Sequence, residues 1–296
     1  MTSSASASRT ALVSEQQSSS RAVPSGASGH NPESQQPRPE LGYYSSRCIG
    51  CLECVRTCPN AAISVSPHGI QVDRTRCRVC GKCAEACPSS ALAVIGKEMT
   101  AQEVLSIVLA DRAFYDESGG GVTISGGEPL CQFQFAAEMA RLCAAAGIHV
   151  VLDTSGYAPW EHLEPVAKHC ALVLYDIKTL DADRHPSLVG ASLGPILDNL
   201  YRITNMSPGP QVVLRYPLIP GANDTPADLA ALRDLAAELD VPVELLPYHP
   251  SGTGKYEAIG VEPPAELSTI DARTAQAAAR EWTQMLVGEG IQCSVK

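Results

Sequence analysis

Eight cysteines fall in two runs of identical spacing, and thiols in this pattern are typical of metal binding. Each run reads C-x2-C-x2-C-x3-C-P, and the second repeats the first about 29 residues later. Thiolates are soft ligands that suit iron, and the short spacers let three of them face one cubane. The runs are Cys48, Cys51, Cys54 and Cys58, then Cys77, Cys80, Cys83 and Cys87. The sequence therefore predicts two 4Fe–4S clusters.

The two runs are expected to share their ligands. The last cysteine of such a run commonly ligates the cluster of the other run. One predicted set is therefore Cys48, Cys51, Cys54 and Cys87, and the other is Cys77, Cys80, Cys83 and Cys58. Structural zinc also uses paired C-x2-C motifs, but zinc sites do not generally repeat a four-cysteine run with a trailing proline. Residues 44–96 resemble bacterial two-cluster ferredoxins, which implies a role in electron relay.

A second set of polar groups falls where successive predicted strands end. In chain order these groups are Gly126-Gly127-Glu128, Asp153, Asp176 with Lys178, Arg215 and His249. Each has an ordinary structural explanation, such as a helix-start turn, an N-cap or a solvated loop residue. In a parallel barrel, however, the carboxyl ends of the strands meet at one face, where active sites assemble. Their shared position therefore indicates a single site.

The elements that would position these groups alternate between strands and helices from residue 97 onward. Thr100 with Glu103 forms a capping box, and Thr225 caps a helix with Pro226 at its first position. The predicted strands are 122–125, 149–153, 172–176, 212–216, 243–246 and 291–295. The predicted long helices are 132–146, 160–169, 195–204, one beginning at 226, and 271–287. Repeated strand–helix units with apolar strands predict a parallel sheet, either a barrel or a doubly wound sheet.

Composition excludes several classes of protein. A net charge of −10 argues against nucleic acid as the main partner, because phosphate binding needs clustered cations. No run of about 18 apolar residues is present, so we expect no membrane span. Residues 1–29 are rich in Ser and Ala and lack the apolar core of a signal peptide. Clustered cysteines without export features indicate metal binding in a reducing cytoplasm.

Together these segments resemble the glycyl-radical-enzyme activating proteins, a branch of the radical-SAM enzymes. The matching segments are His30 to Ser34, Gly121 to Pro129, Leu152 to Gly156, Asp176 to Lys178, Leu188 to Gly190, Arg215 with Tyr216, Pro220 with Gly221, and Glu244 to His249. The resemblance implies an α/β fold, a partial (β/α)6 radical-SAM barrel with an inserted dicluster ferredoxin-like α+β domain. It divides the chain into an aberrant or disordered N-terminus (1–40), a ferredoxin-type domain (41–96) and the partial barrel (97–296).

The resemblance also implies the chemistry. Gly126, Gly127 and Glu128 would hold the amino group of S-adenosylmethionine; Asp176, Ile177, Lys178 and His249 would contact the rest of it, and Asp153 would lie nearby. In the family, a third 4Fe–4S cluster with one open iron passes one electron to the sulfonium. The resulting 5′-deoxyadenosyl radical takes hydrogen from a glycine of a partner glycyl radical enzyme. A flavodoxin or ferredoxin-type protein would donate the electron, in anaerobic metabolism.

The cysteines of that third cluster are missing. The family carries C-x3-C-x2-C directly before a segment like His30 to Ser34, whereas no cysteine precedes Cys48 here. Residues 22–29 can be encoded by codons that, when read in a shifted frame, give Gly-Cys-Pro-Leu-Arg-Cys-Gln-Trp. This shifted reading is the family motif up to its last cysteine. We therefore expect residues 8–29 to be read out of frame, and the chain as written to be impaired. The alternatives are an electron-transfer protein on an inactive barrel, or a module that only docks on the partner enzyme.

Overall fold

The N-terminal part of the protein is built from short antiparallel strand pairs. The computed structural model describes residues 10–13, 39–67, 69–248 and 271–296. The first elements are strand β1 (Thr10–Val13), β2 (Glu40–Tyr43), helix α1 (Glu53–Thr57), β3 (Ile63–Ser66), β4 (Gly69–Val72), α2 (Lys82–Glu85), β5 (Leu92–Ile95) and β6 (Lys97–Thr100). Strand β2 pairs with β5, β3 with β4, and β1 with β6, each antiparallel.

Strand β1 lies inside the segment that the sequence predicts to be disordered or aberrant. Its four residues are too few to show a periodic pattern by themselves, and their pairing partners on β6 lie far along the chain. The cysteine-rich block has its own small core, in which Leu41, Ile63 and Leu92 pack with the buried Cys54 and Cys83. These two cysteine side chains are therefore part of the hydrophobic core of the block as well as predicted cluster ligands.

The rest of the described chain is a parallel sheet with intervening helices. Its elements are α3 (Ala101–Ala110), α4 (Arg112–Ser118), β7 (Gly121–Ile124), α5 (Phe133–Ala145), β8 (His149–Thr154), α6 (Trp160–Ala167), β9 (Leu172–Asp176), α7 (His185–Val189), α8 (Gly194–Thr204), β10 (Gln211–Leu218), α9 (Pro226–Leu239), β11 (Val243–Pro247), α10 (Ala272–Gly288) and β12 (Cys293–Val295). The six strands lie in chain order, and all neighbours are parallel.

This strand order decides between the two predicted architectures. A doubly wound sheet reverses its strand order at a switch point, whereas here each strand pairs with the next one along the chain. The sheet is therefore an open barrel, and the predicted α/β partial barrel is confirmed. The predicted helix starts are also confirmed, since Thr100 and Thr225 each form a complete capping box.

The core lies on the sheet. Leu152, Val173, Leu214 and Leu245 are completely buried on four neighbouring strands, and the helices cover them. Near-continuous apolar strands of this kind are expected for a parallel sheet covered on both faces. No helix among the described residues combines the length and the apolar character needed to cross a membrane.

Candidate functional site

Neighbouring strands bring Asp176 and Arg215, two of the predicted polar groups, into one row with Glu244. Glu244 lies near the start of β11 and was not among the predicted groups. On β9 and β10, Asp176 pairs in register with Arg215, and on β10 and β11, Arg215 pairs with Glu244. Residues in register on neighbouring strands point to the same face of a sheet, so these three side chains share one side. Asp153 joins them from the end of β8.

Arg215 is the common partner of these carboxylates. Only 2% of its side chain is exposed, and its Nη1 lies 2.8 Å from Asp153 Oδ1. Its Nε lies 3.6 Å from Asp176 Oδ1 and 3.6 Å from Glu244 Oε2. One buried guanidinium thus contacts acidic groups from three different strands.

Two lysines complete this charge network from its flanks. Lys178 Nζ lies 2.8 Å from Asp176 Oδ2, and both side chains are buried. Lys296 Nζ lies 2.9 Å from Glu244 Oε1 and remains more than half exposed. Each of these two carboxylates therefore lies between Arg215 and a lysine.

Burial changes the acidity of the groups in this network. It raises the pKa of Asp153, the charge of Asp176 raises it further, and Arg215 opposes the rise. Burial alone would lower the pKa of Arg215, but the carboxylates of Asp176 and Asp153 outweigh it and raise that pKa. Arg215 consequently stays charged at every ordinary pH.

Three atoms of the network remain without a hydrogen bond among the described residues. They are Asp176 Oδ1, Arg215 Nε and Glu244 Oε2, and all three are buried. Buried polar atoms in proteins almost always have partners, so such atoms indicate a ligand or an ordered water. Asp176 Oδ1 and Glu244 Oε2 each lie 3.6 Å from Arg215 Nε, so the three atoms face one another and interact by charge, with room for a bridging hydrogen-bonding group.

The Glu128 side chain is already saturated by donors from the protein. Its Oε1 accepts from Thr154 Oγ1 at 2.6 Å and from the Leu130 amide at 3.1 Å. Its Oε2 accepts from the hydroxyl of Ser155 at 2.6 Å and from its amide at 2.9 Å. A carboxylate has about four lone-pair sites, and four donors occupy them. Burial raises the pKa of Glu128, while these hydrogen bonds oppose the rise.

Glu128 therefore ties the end of β7 to the end of β8. The sequence-based expectation was that it would hold a ligand amino group together with Gly126 and Gly127. The backbone at Gly126 has a positive φ of 151°, and no other atom lies within 4 Å of where a Cβ would stand. The backbone of this loop is thus the part that remains open to a ligand.

A buried asparagine that the sequence analysis missed fixes the loop after β8. Asn199 Nδ2 donates to the Gly156 carbonyl at 2.8 Å and to the Ala158 carbonyl at 2.7 Å. Gly156 has a φ of 70°, and a Cβ there would overlap the hydroxyl of the buried Tyr175. The Asp-Thr-Ser-Gly segment therefore needs glycine at its last position.

A second asparagine joins the loops after β9 and β10. Asn223 Nδ2 donates to the Lys178 carbonyl at 2.6 Å and the Pro217 carbonyl at 2.7 Å, and its Oδ1 accepts from the Ile219 amide at 2.7 Å. Only its place after a Pro-Gly turn could have marked it in the sequence.

Ile177 is buried and donates its amide to the Arg215 carbonyl at 2.8 Å, which extends the strand pairing. His249 lies outside the described residues.

One of the two predicted cluster sites coincides with a depression in the cysteine-rich block. The depression is open to solvent, and Cys58, Cys77, Cys80 and Cys83 all line it. This is the crossed ligand set, in which Cys58 comes from the other run. Among the described residues, no three acidic, histidine or cysteine side chains are placed to bind a single metal ion. A 4Fe–4S cluster does not need such a group, because each of its irons takes a separate thiolate.

The thiols of this depression differ in exposure. Cys80 is exposed, whereas burial raises the pKa of the Cys83 thiol to about 11. Without iron, Cys83 would therefore be protonated at neutral pH, and binding of the cluster must release its proton.

The sequence duplication extends to the backbone of the two cysteine loops. Residues with positive φ occur at matching positions of the two runs: Gly50 and Val79, Leu52 and Gly81, and Ala61 and Ser90. Four of these are not glycine, and a residue of this kind costs about 1–3 kcal/mol in such a conformation. Both loops thus hold the same unfavourable shape, which is consistent with one function for both.

Comparisons with known proteins identify the families that both parts of the chain resemble. The radical SAM superfamily model matches residues 75–233, more than half of the chain, and the 4Fe-4S dicluster domain model matches residues 47–91. An isethionate sulfite-lyase activating enzyme from Oleidesulfovibrio alaskensis is 43% identical over 81% of this chain and 80% of its own length.

Further relatives carry similar names. A trans-4-hydroxy-L-proline dehydratase activating enzyme from Clostridioides difficile is 41% identical over 78% of this chain and 77% of its own. A benzylsuccinate synthase activating enzyme from Thauera aromatica is 39% identical over 83% and 77%. A solved domain of a pyruvate-formate lyase-activating enzyme from Bacteroides vulgatus has a TM-score of 0.47 and 26% identity, covering 60% of this chain and 99% of that domain.

Replacing Arg215 by Met should strongly destabilise the barrel. The change leaves three buried carboxylates without their shared cation, which typically costs about 3–5 kcal/mol. Loss of Arg215 raises the pKa of Asp153 further, so the folded state binds more protons than the unfolded one, and stability falls as pH rises. Urea unfolding followed by tryptophan fluorescence should therefore show a larger loss at neutral pH than at about pH 4, near the ordinary pKa of an Asp.

Arg233→Met is the matched control, because the partners of Arg233, Asp234 and Glu289, are exposed. It should cost less than about 1 kcal/mol at either pH. Equal losses for the two variants would contradict the central place given to Arg215.

Pairs of cysteine substitutions should reveal the crossed ligation. Cys58→Ala with Cys77→Ala removes two ligands of one predicted cluster, so about four of about eight irons should remain. Cys58→Ala with Cys51→Ala removes one ligand from each cluster, and because three thiolates can hold a cluster with one open iron, about six to eight irons should remain. Iron analysis after anaerobic reconstitution measures both, and the opposite pattern would mean that each run binds its own cluster.

Proposed function

The chain belongs to the glycyl-radical enzyme activating enzymes of the radical SAM superfamily, and from this membership we propose that its strand-end site binds S-adenosylmethionine. The activity of this family is reductive cleavage of S-adenosylmethionine to a 5′-deoxyadenosyl radical, which abstracts hydrogen from a glycine of a partner enzyme. The protein partner is accordingly a glycyl radical enzyme.

The observation that carries the binding proposal is the buried charge network at the strand ends. Three carboxylates and three cations balance in this network, so it offers a ligand individual hydrogen-bond acceptors rather than a net negative charge. Asp176 has one carboxylate oxygen free of hydrogen bonds, and Asp153 lies beside it on the same guanidinium. We assign these two residues, with Ile177, Lys178 and His249, to contacts with the nucleoside and the methionine carboxylate.

The loop after β7 would hold the amino group of the methionine. Because the Glu128 carboxylate is saturated, we assign the direct contact to backbone carbonyls at Gly126 and Gly127, and a positioning role to the Glu128 side chain. A ligand ammonium can donate to several carbonyls at once, since it carries three donors.

The residues present do not fit the third cluster that the family uses. That cluster needs three thiolates near the start of the chain, and no cysteine precedes Cys48. We therefore derive no step through it for the chain as written, and we retain the proposal that residues 8–29 are read out of frame. A chain with the shifted reading would regain the motif up to its last cysteine.

The ferredoxin-type block would deliver electrons to the barrel. Its eight clustered thiols fit two 4Fe–4S clusters, and clusters in one small domain can exchange electrons rapidly. A flavodoxin or a ferredoxin-type protein is the proposed donor. We propose the cytoplasm as the compartment, because free thiol ligands require reducing conditions. The proposed units are residues 41–96 for the clusters and 97–296 for the barrel.

Iron content and product formation test this function together. The chain as written should hold about eight irons and form no 5′-deoxyadenosine with S-adenosylmethionine and dithionite. In a corrected chain, the shifted reading and the last cysteine of the motif replace residues 22–29. This chain should hold about twelve irons and form the product. Asp176→Asn in the corrected chain should raise the S-adenosylmethionine concentration needed for half-maximal cleavage.

Either of two results would contradict the proposal. One is product formation by the chain as written, and the other is a corrected chain that holds about twelve irons but stays inactive. If the corrected chain fails to take up more than about eight irons and remains inactive, the electron-transfer alternative is supported instead.

A further inference from the structure

The two cysteine loops share one backbone shape but differ in charge. The first loop carries Arg47, Ile49 and Glu53 at the positions where the second carries Arg76, Arg78 and Lys82. Counting Arg56 and Glu85, which also occupy matching positions, the second loop carries three cations and one anion, whereas the first carries two cations and one anion. The positive-φ positions of the two loops match, so the loops have the same backbone shape. The difference in charge therefore does not result from a difference in fold.

The cations of the second loop face solvent and are available to a partner. Arg76, Arg78 and Lys82 are all exposed, and none forms an ion pair with a described residue. Arg78 also lines the depression formed by the four cysteines, next to the exposed Cys80. We call Arg76, Arg78 and Lys82 the basic rim.

The charges of the first loop are already engaged within the block. The Arg47 guanidinium lies 4.5 Å from the centre of the Tyr44 ring, and Glu53 pairs with Arg56. Between them, Ile49 is 67% exposed. The surface over this cluster is therefore apolar and nearly neutral.

The basic rim stands out against the rest of the chain. With a net charge of −10, most of the surface repels an acidic protein, so a local group of three cations directs such a protein to one place. Charge complementarity of this kind raises association rates and fixes orientation more than it raises affinity. That behaviour suits an electron carrier, which must dock quickly and then leave.

We propose that the basic rim is the docking site of an acidic one-electron carrier protein, which reduces the cluster held by Cys58, Cys77, Cys80 and Cys83 before the other cluster. The proposal deepens the proposed electron relay and rests on it. In the step, the carrier loses one electron and the 4Fe–4S core passes from the 2+ to the 1+ state. No covalent bond changes and no proton moves. The positive charge of Arg78 beside the cluster also favours the added electron.

The test measures how fast a reduced flavodoxin of net negative charge bleaches the clusters. The anaerobically reconstituted chain is mixed with the flavodoxin hydroquinone at several salt concentrations in a stopped-flow spectrometer. Arg76→Glu should lower the second-order rate constant about tenfold or more at low salt, and this difference should vanish at high salt. Arg47→Glu makes the same change of charge at the duplicated position and should alter the rate less than about twofold.

A second variant and a second reductant show whether slower reduction results from loss of a cluster. Arg78→Ile with Lys82→Glu gives the second loop the residues of the first at two positions, and it should also slow the flavodoxin reaction. Reduced methyl viologen, a small cation, should reduce every variant that retains full iron at an undiminished rate.

Three results would overturn the proposal. They are equal slowing by Arg47→Glu and Arg76→Glu, rates insensitive to salt, and unchanged rates in both variants of the basic rim. None of these measurements involves S-adenosylmethionine, so failure here is distinguishable from failure of the proposed function.

Discussion

A single buried guanidinium opposite three carboxylates is the constraint on which the barrel depends. Arg215 lies on a central strand, and Asp153, Asp176 and Glu244 reach it from β8, β9 and β11. Removing charges from water is costly, and their mutual attraction repays that cost only when every partner is in place. The strand ends must therefore keep their register, and this fixes the loops that follow them.

Hydrogen-bonded side chains outside this network extend this order from the strands to the loops. Glu128 joins the loops after β7 and β8, Asn199 holds the loop after β8, and Asn223 joins the loops after β9 and β10. A binding site whose residues are held before the ligand arrives loses less entropy on binding. The same logic explains Gly156, where only glycine leaves room for the Tyr175 hydroxyl.

The sequence predicted those parts of the molecule whose signals are local. Apolar runs marked the parallel strands, Thr100 and Thr225 marked helix starts, and the cysteine spacing marked the cluster loops. The roles of Glu128 and Asn223 could not be predicted, because their hydrogen-bond partners lie on other segments and the sequence does not show which groups meet. The crossed ligation by Cys58 was predicted from its motif, whereas only the structure shows that the cations of the basic rim are exposed and pair with no described residue.

The central claim is that S-adenosylmethionine binds at the carboxyl ends of the strands, against the Arg215 network. Amide hydrogen exchange with mass spectrometry, with and without S-adenosylmethionine, tests it most directly. The account predicts slower exchange in peptides that contain residues 126–128, 153–156 and 176–178, and unchanged exchange at the amino ends of the same strands. The claim would be contradicted if saturating S-adenosylmethionine slowed exchange only in other peptides, or in none.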